Sequence, residues 1–245
     1  MLAGIRDILI ITTPADQSAF KLVLGDGSNY GINIEYAIQE RPDGLAQAFI
    51  IGETFIENQP CSLILGDNLF YGVGLGSELG KTYSGAGAHI FTYEVSDPTQ
   101  YGILTVDSGG IPLEIIEKPR ESKSRLAVTG LYFFDGDVAE IARGVKRSPR
   151  GELEITSVIS HYLDQDSLTF TALSRGAVWL DTGNPAALND AANFIRVIED
   201  RTGQKIACLE EIALRNGWID ENQIIHSAGF FKMNDYGKYL MRLIS

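Results

Sequence analysis

The chain has 245 residues, 44% of them hydrophobic, with 32 Asp and Glu against 20 Lys and Arg for a formal net charge of -12. That length supports a substantial buried core, and Gly (26) and Pro (8) are not gathered into tracts, which excludes miniprotein, collagen-like and low-complexity character. The acidic balance opposes nucleic acid and anionic membranes, neither of which is expected as a partner, while a few desolvated cations would still suffice for a small phosphate ester.

Asp7–Thr12 reads as a buried strand stopped by Thr13-Pro14. A second strand over Ile32–Ala37 is followed by Asp43–Ile51, whose apolar spacing predicts a helix with Asp43 near its start. Ser62–Leu65 is a third strand running into Gly66-Asp67-Asn68, and Ala88–Val95 is a fourth. Alternation of strands and helices predicts a mainly parallel, doubly wound α/β sheet. Gly102–Val106 and Pro112–Glu117 flank Asp107-Ser108-Gly109-Gly110, a hairpin signal that makes the sheet mixed. A strand from Val128 to Phe134 precedes helical spacing at 137–145 and 152–163, and Val178–Asp181 is a final short strand. Helices at 185–201, 207–216 and 233–244 form a C-terminal helical subregion, so the expected division is a core of 1–184 and a helical part of 185–245.

Few residues stand out for chemistry. Cys61 and Cys208 are far apart and belong to no metal-ligand spacing, and His89, His161 and His226 share no pattern. No apolar run approaches the length of a membrane span, and the opening residues lack the basic and apolar regions of a signal peptide, so a cytoplasmic location is expected. Gly72–Gly76 does not keep the G-x-G-x-x-G spacing, and neither a P-loop nor a G-x-S-x-G motif occurs. Asp67 and Asp181 each end a short apolar strand. Ligands of open α/β sheets bind beyond such ends, where two aspartates can share a Mg²⁺ with phosphate oxygens, although turns use the same residue. Lys118, between Glu117 and Pro119, is expected in an extended conformation that points its amine off a strand end, either into a cleft or into an exposed ion pair. Gly44 is expected at a helix start, where free N–H groups and a missing side chain admit a base or a phosphate.

Taken together, Gln39…Pro42-Asp43-Gly44-Leu45-Ala46-Gln47-Ala48, Leu65-Gly66-Asp67-Asn68, Glu117-Lys118-Pro119, Val128-Thr129-Gly130-Leu131-Tyr132, Arg150-Gly151-Glu152-Leu153-Glu154-Ile155-Thr156 and Trp179-Leu180-Asp181-Thr182-Gly183 resemble the bacterial glucose-1-phosphate thymidylyltransferases. The resemblance is ordered and runs along the whole chain. It implies a Rossmann-like, doubly wound mixed sheet of nucleotide-diphospho-sugar transferase type, and transfer of thymidylyl from dTTP to α-D-glucose 1-phosphate as the first step of dTDP-rhamnose formation. It further implies Mg²⁺ on Asp67 and Asp181 and Lys118 on the sugar phosphate. Gly102, Glu117, Val128 and Tyr132 would line the glucose pocket, and Gln39 and Gly44 would read the thymine. A regulatory pocket for a thymidine-nucleotide sugar would use Gly72, Arg175, Glu211, Ile212 and Arg215, and the family assembles as homotetramers. The family's Gly-rich G-G-x-G-T-R-L-x-P loop and its following Lys are not among these 245 residues. Little activity is therefore expected of them alone, with two neighbouring strand edges left exposed. The alternative reading is a non-catalytic regulatory paralogue or fragment that binds sugar nucleotides.

Overall fold

The computed structural model describes residues 1–72, 74–76, 79, 83–232 and 234–245. Its largest sheet is built around β8 (Leu126–Phe134), which runs antiparallel to β3 (Cys61–Ile64), β5 (Ala88–Glu94) and β6 (Gly102–Val106). Eight of its nine residues are buried, so Leu126-Ala-Val-Thr-Gly-Leu-Tyr-Phe-Phe134 reads apolar on both faces rather than alternating. β7 (Pro112–Glu117) pairs with β6 at one edge, and β9 (Leu168–Ala172) runs parallel to β5 at the other. Phe49, Ile90, Leu104, Phe134, Val158 and Ile159 centre the core, contributed by the sheet and by helices Gln47–Ile51 and Ile155–Asp164.

The mixed sheet is as expected, but antiparallel ladders outnumber parallel ones among the described strands. The expected hairpin accounts for one of these: Asp107 Oδ1 accepts from the N–H groups of Gly109 and Ile111, both at 2.8 Å, and closes the turn between β6 and β7. Two further ladders stand apart from this sheet. β1 (Asp7–Thr12) pairs in parallel with β2 (Asn33–Ile38) and, among the described residues, with no other strand. β4 (Asn68–Tyr71) pairs antiparallel with β10 (Val178–Asp181). Strands β4 and β9 and the helix Glu221–Phe230 add to the elements read from sequence.

By its internal contacts the chain divides into two compact units, Gln39–Leu75 with Lys81–Asp181, and Met1–Ile38 with Gly76–Gly80 and Thr182–Ser245. The sequence division at 184/185 thus falls close to one crossing, whereas Met1–Ile38 groups with the C-terminal helices. Arg6 and the turn at Gly31 account for that grouping. The Arg6 guanidinium lies 5.5 Å from the Trp218 ring centre while its Nε donates to Gly31 O at 2.8 Å. Gly31, at φ 63°, abuts the Trp218 backbone so closely that a Cβ has no room there. Beside them Cys208, Ile224, Ala228, Tyr239 and Leu240 form this unit's own apolar cluster.

Two local expectations are corrected. Gly44 does not open a helix: its φ is 109°, and the helix begins at Gln47. Instead the turn docks on the segment ahead of helix Ile155–Asp164, with Leu153 N donating to Asp43 O at 2.7 Å and Ala46 N to Leu153 O at 3.0 Å. Lys118 is not extended but left-handed, at φ 42°. Its N–H donates to Tyr101 O at 3.0 Å, prolonging the β6–β7 ladder beyond the Gly102–Glu117 pair, and that bond outweighs the bias from Pro119.

Candidate active site

The β4–β10 register brings the first group of candidate residues together. Asp181 is the strand partner of Asn68, so Asp181 and the adjacent Asp67 meet at one end of a two-stranded ladder. Asp67 is exposed and Asp181 half-buried. Asn68 Nδ2 donates to Asp67 Oδ1 at 2.7 Å, which orients that carboxylate. Among the described residues no three His, Cys, Asp or Glu gather as a metal cluster. A pair of hard carboxylate donors nevertheless suits Mg²⁺, which keeps most of its shell for water and phosphate oxygens.

A second group forms at the end of the β6–β7 ladder, in the same unit. Glu117 pairs in register with Gly102, and a Cβ on Gly102 would lie 2.9 Å from Thr156 Cγ2 and 3.3 Å from Glu117 Oε2, so the missing side chain lets both pack close against the Gly102 backbone. Burial, and then the neighbouring Glu154, hold the Glu117 carboxyl above its ordinary range, against the opposing pull of Lys118, Arg150 and a hydrogen bond with Thr156. Arg150 lies 3.5 Å from Glu117, 3.1 Å from Glu152 and 3.6 Å from Glu154, and Ser148 Oγ donates to Glu154 at 2.7 Å. Val128 and Tyr132 belong to the core, Tyr132 being stacked on Phe134. Burial, with Glu117 and Asp67 nearby, pushes the Tyr132 phenol pKa up.

The third group is the turn at Gly44. Gln39 Nε2 donates to Gly44 O at 3.3 Å and to Gln47 Oε1 at 2.7 Å, so the two residues expected to read a base are brought together. Arg147 secures the turn by pairing with Asp43 at 3.0 Å and donating to Gly151 O at 2.6 Å.

The regulatory set falls into two parts. Gly72 abuts Ala177, two residues after the exposed Arg175. Glu211, Ile212 and Arg215 lie in the other unit on helix Leu209–Arg215, where Glu211 accepts from the Tyr239 hydroxyl and pairs with Arg215 one turn on. Sequence reasoning missed Asn68, Thr156 and Arg150 as site residues, though each stood within a quoted motif. The polar residues beside Asp67 and Glu117 in those motifs were the available signal.

Residues 1–197 match the family model described as nucleotidyl transferase. A glucose-1-phosphate thymidylyltransferase of Mycobacterium tuberculosis is 50% identical over 244 residues, covering 100% of this chain and 85% of the relative. One from Xanthomonas campestris is also 50% identical over 244 residues, covering 99% and 83%. Among solved structures, a Bacillus anthracis protein assigned as a glucose-1-phosphate thymidylyltransferase, crystallised with sucrose, superposes with a TM-score of 0.70 at 34% identity, over 78% of this chain and 76% of its own. Half the sequence shared along the whole chain, on the same kind of fold, makes this protein a nucleotidyltransferase of the nucleotidyl transferase family, grouped with its glucose-1-phosphate thymidylyltransferases.

Proposed function

We propose that the chain transfers thymidylyl from dTTP to α-D-glucose 1-phosphate. A phosphate oxygen of the sugar phosphate attacks the α-phosphorus, the new O–P bond forms in line as the α–β bridge breaks, and pyrophosphate leaves with its electron pair. The observation that carries this reading is the register that sets Asp67 beside Asp181 at one strand end. Chemistry of this kind depends on positioning and charge neutralisation rather than on a covalent intermediate.

Each group has a part in that reading. Asp67 and Asp181 would hold Mg²⁺, which supplies neutralisation of phosphate charge when bound. The Lys118 ammonium would meet the sugar phosphate, with the Arg150 guanidinium, which pairs with Glu117, as a second cation. Glu117, close against the Gly102 backbone, would take a sugar hydroxyl, with Thr156 orienting the carboxylate. Gln39 and the Gly44 turn take the thymine edge. Among the described residues no helix is long and apolar enough to cross a membrane. We extend the proposal to self-association as a homotetramer, which would cover Leu22, Val23 and Phe230, exposed by 87%, 74% and 80%.

The test is pyrophosphate release with Mg²⁺, glucose 1-phosphate and either dTTP or UTP. It is run on the 245 residues and on the same chain preceded by the family's Gly-rich segment. Release that prefers dTTP in either form supports thymidylyl transfer, and preference for UTP refutes the thymidylyl assignment. If neither form releases pyrophosphate while both bind dTDP-glucose, the non-catalytic binding reading replaces this one.

A further inference from the structure

Asn68 is tied into the site by three hydrogen bonds from three directions. Its Oδ1 accepts from Trp179 Nε1 at 2.6 Å and from Gly130 N at 3.1 Å, and its Nδ2 donates to Asp67 Oδ1 at 2.7 Å. An indole N–H and a backbone N–H can only donate, whereas a carboxylate can only accept. The amide therefore has one satisfied orientation. Flipped, it would set its NH₂ against two donors and its oxygen against a carboxylate.

The arrangement is built in, since a Cβ on Gly130 would stand 2.6 Å from Asn68 Oδ1 and 2.7 Å from its Cγ. The indole is buried and held between rings, 5.1 Å from Tyr101 and 6.0 Å from Tyr93. Trp179 also lies two residues before Asp181 on β10, and therefore on the same face of that strand.

We propose that Trp179 and Asn68 are positioning residues. The indole N–H fixes the Asn68 amide, and the amide holds the Asp67 carboxylate in the orientation that ligates a divalent cation together with Asp181. The inference rests on the cation role given to the two aspartates above. It assigns to Trp179 a task that acts through Asn68 and needs no contact with the cation.

Mn²⁺ binding followed by electron paramagnetic resonance, without nucleotide, tests it on wild type, Asp67→Asn, Trp179→Phe, Asn68→Ala and the Trp179→Phe/Asn68→Ala double variant. Trp179→Phe keeps an aromatic ring between Tyr93 and Tyr101 but removes the donor. Loss of a group that orients a metal ligand typically weakens affinity by about 10- to 100-fold. We expect such a loss for both single variants and, because Trp179 acts through Asn68, no further loss in the double. Wild-type affinity in Trp179→Phe, or a double variant showing the product of the two losses, overturns the proposal. If Asn68→Ala does not fold, Trp179→Phe still decides, read together with faster solvent exchange of the Asn68 side-chain NH₂. Undiminished binding in Asp67→Asn overturns the cation reading and this inference with it, whereas Asp67-dependent binding that Trp179→Phe leaves intact overturns this inference alone.

Discussion

At the β4–β10 end an exposed aspartate faces a half-buried one, and an amide steadies the first. In the other unit Glu210 and Glu211 are 3% and 9% exposed, and their oxygens are taken up from within. Glu210 accepts from the Tyr236 hydroxyl at 2.6 Å, and Glu211 is engaged by Tyr239 and Arg215. Burial, with help from these carboxylates, pushes the Tyr236 pKa up and that of Tyr239 to about 12, so both phenols remain donors. Acid content alone thus does not mark a reactive site. What separates the two regions is how far the carboxylates lie from solvent.

The sharpest way to break this contrast is to neutralise one acid in each region. Asp181→Asn should reduce turnover by about 10³-fold, the order seen when one preorganised electrostatic group is removed. It should move the urea midpoint by less than about 0.5 kcal/mol equivalent, since the side chain is not deeply buried. Next in size, Gly130→Ala drives a methyl into Asn68 and should cost about 2 to 3 kcal/mol in urea unfolding, as overpacking does, while weakening Mn²⁺ binding without altering any carboxylate. Glu210→Ala leaves the half-buried Tyr236 hydroxyl without its carboxylate partner, and should cost about 1 to 2 kcal/mol with Mn²⁺ affinity unchanged. Equal stability losses in Asp181→Asn and Glu210→Ala would erase the distinction.

A smaller effect comes from His89, buried between two strands. Thr169 Oγ1 donates to Ala88 O and so accepts from His89 Nδ1–H at 2.8 Å, which leaves Nε2 to accept from Thr171 at 3.0 Å. The neutral ring suits this setting, and burial lowers its pKa from 6.5. The unfolded chain therefore binds the extra proton first as pH falls below 6.5. The stabilisation is complete above that value and declines through the window beneath it, by about 1.4 kcal/mol per pH unit at most. Urea midpoints at pH 5.5 and 7.5 should differ in wild type, and less so in His89→Gln. The smallest change should come from Arg196→Ala, whose partner Asp200 lies 3.5 Å away on the exposed face of a helix, with an effect of about 0.3 kcal/mol.

Most strands were legible because their runs were long and apolar: Asp7–Thr12 has the bounds expected of it, and β8 is two residues longer than its expected span. β4 escaped notice because Asn68-Leu-Phe-Tyr71 is only four residues long and follows Gly66-Asp67 directly. The helix Glu221–Phe230 buries only Ile224 and Ala228, which leaves little periodic signal. At the site, the types and strand-end positions of Asp67 and Asp181 were readable. Their meeting followed only from the family resemblance, because it depends on pairing Asn68 with a residue 113 positions away, and local pattern carries no information on register at that range. Lys118 was misread for a related reason, since a hydrogen bond to Tyr101 decides a backbone angle that Pro119 alone would set otherwise.

That left-handed lysine also bears on how the protein withstands heat. A non-glycine residue at φ 42° carries a conformational cost of about 1 to 3 kcal/mol, which the surrounding ladder must hold in place. Glycine adopts the same angle without that cost, so Lys118→Gly should melt at a higher temperature than Lys118→Ala while both lose the ammonium. With Lys118 in the proposed role, resistance to heat and delivery of a cation make opposite demands on this one position, so selection for thermal tolerance alone would favour the glycine that gives up the ammonium.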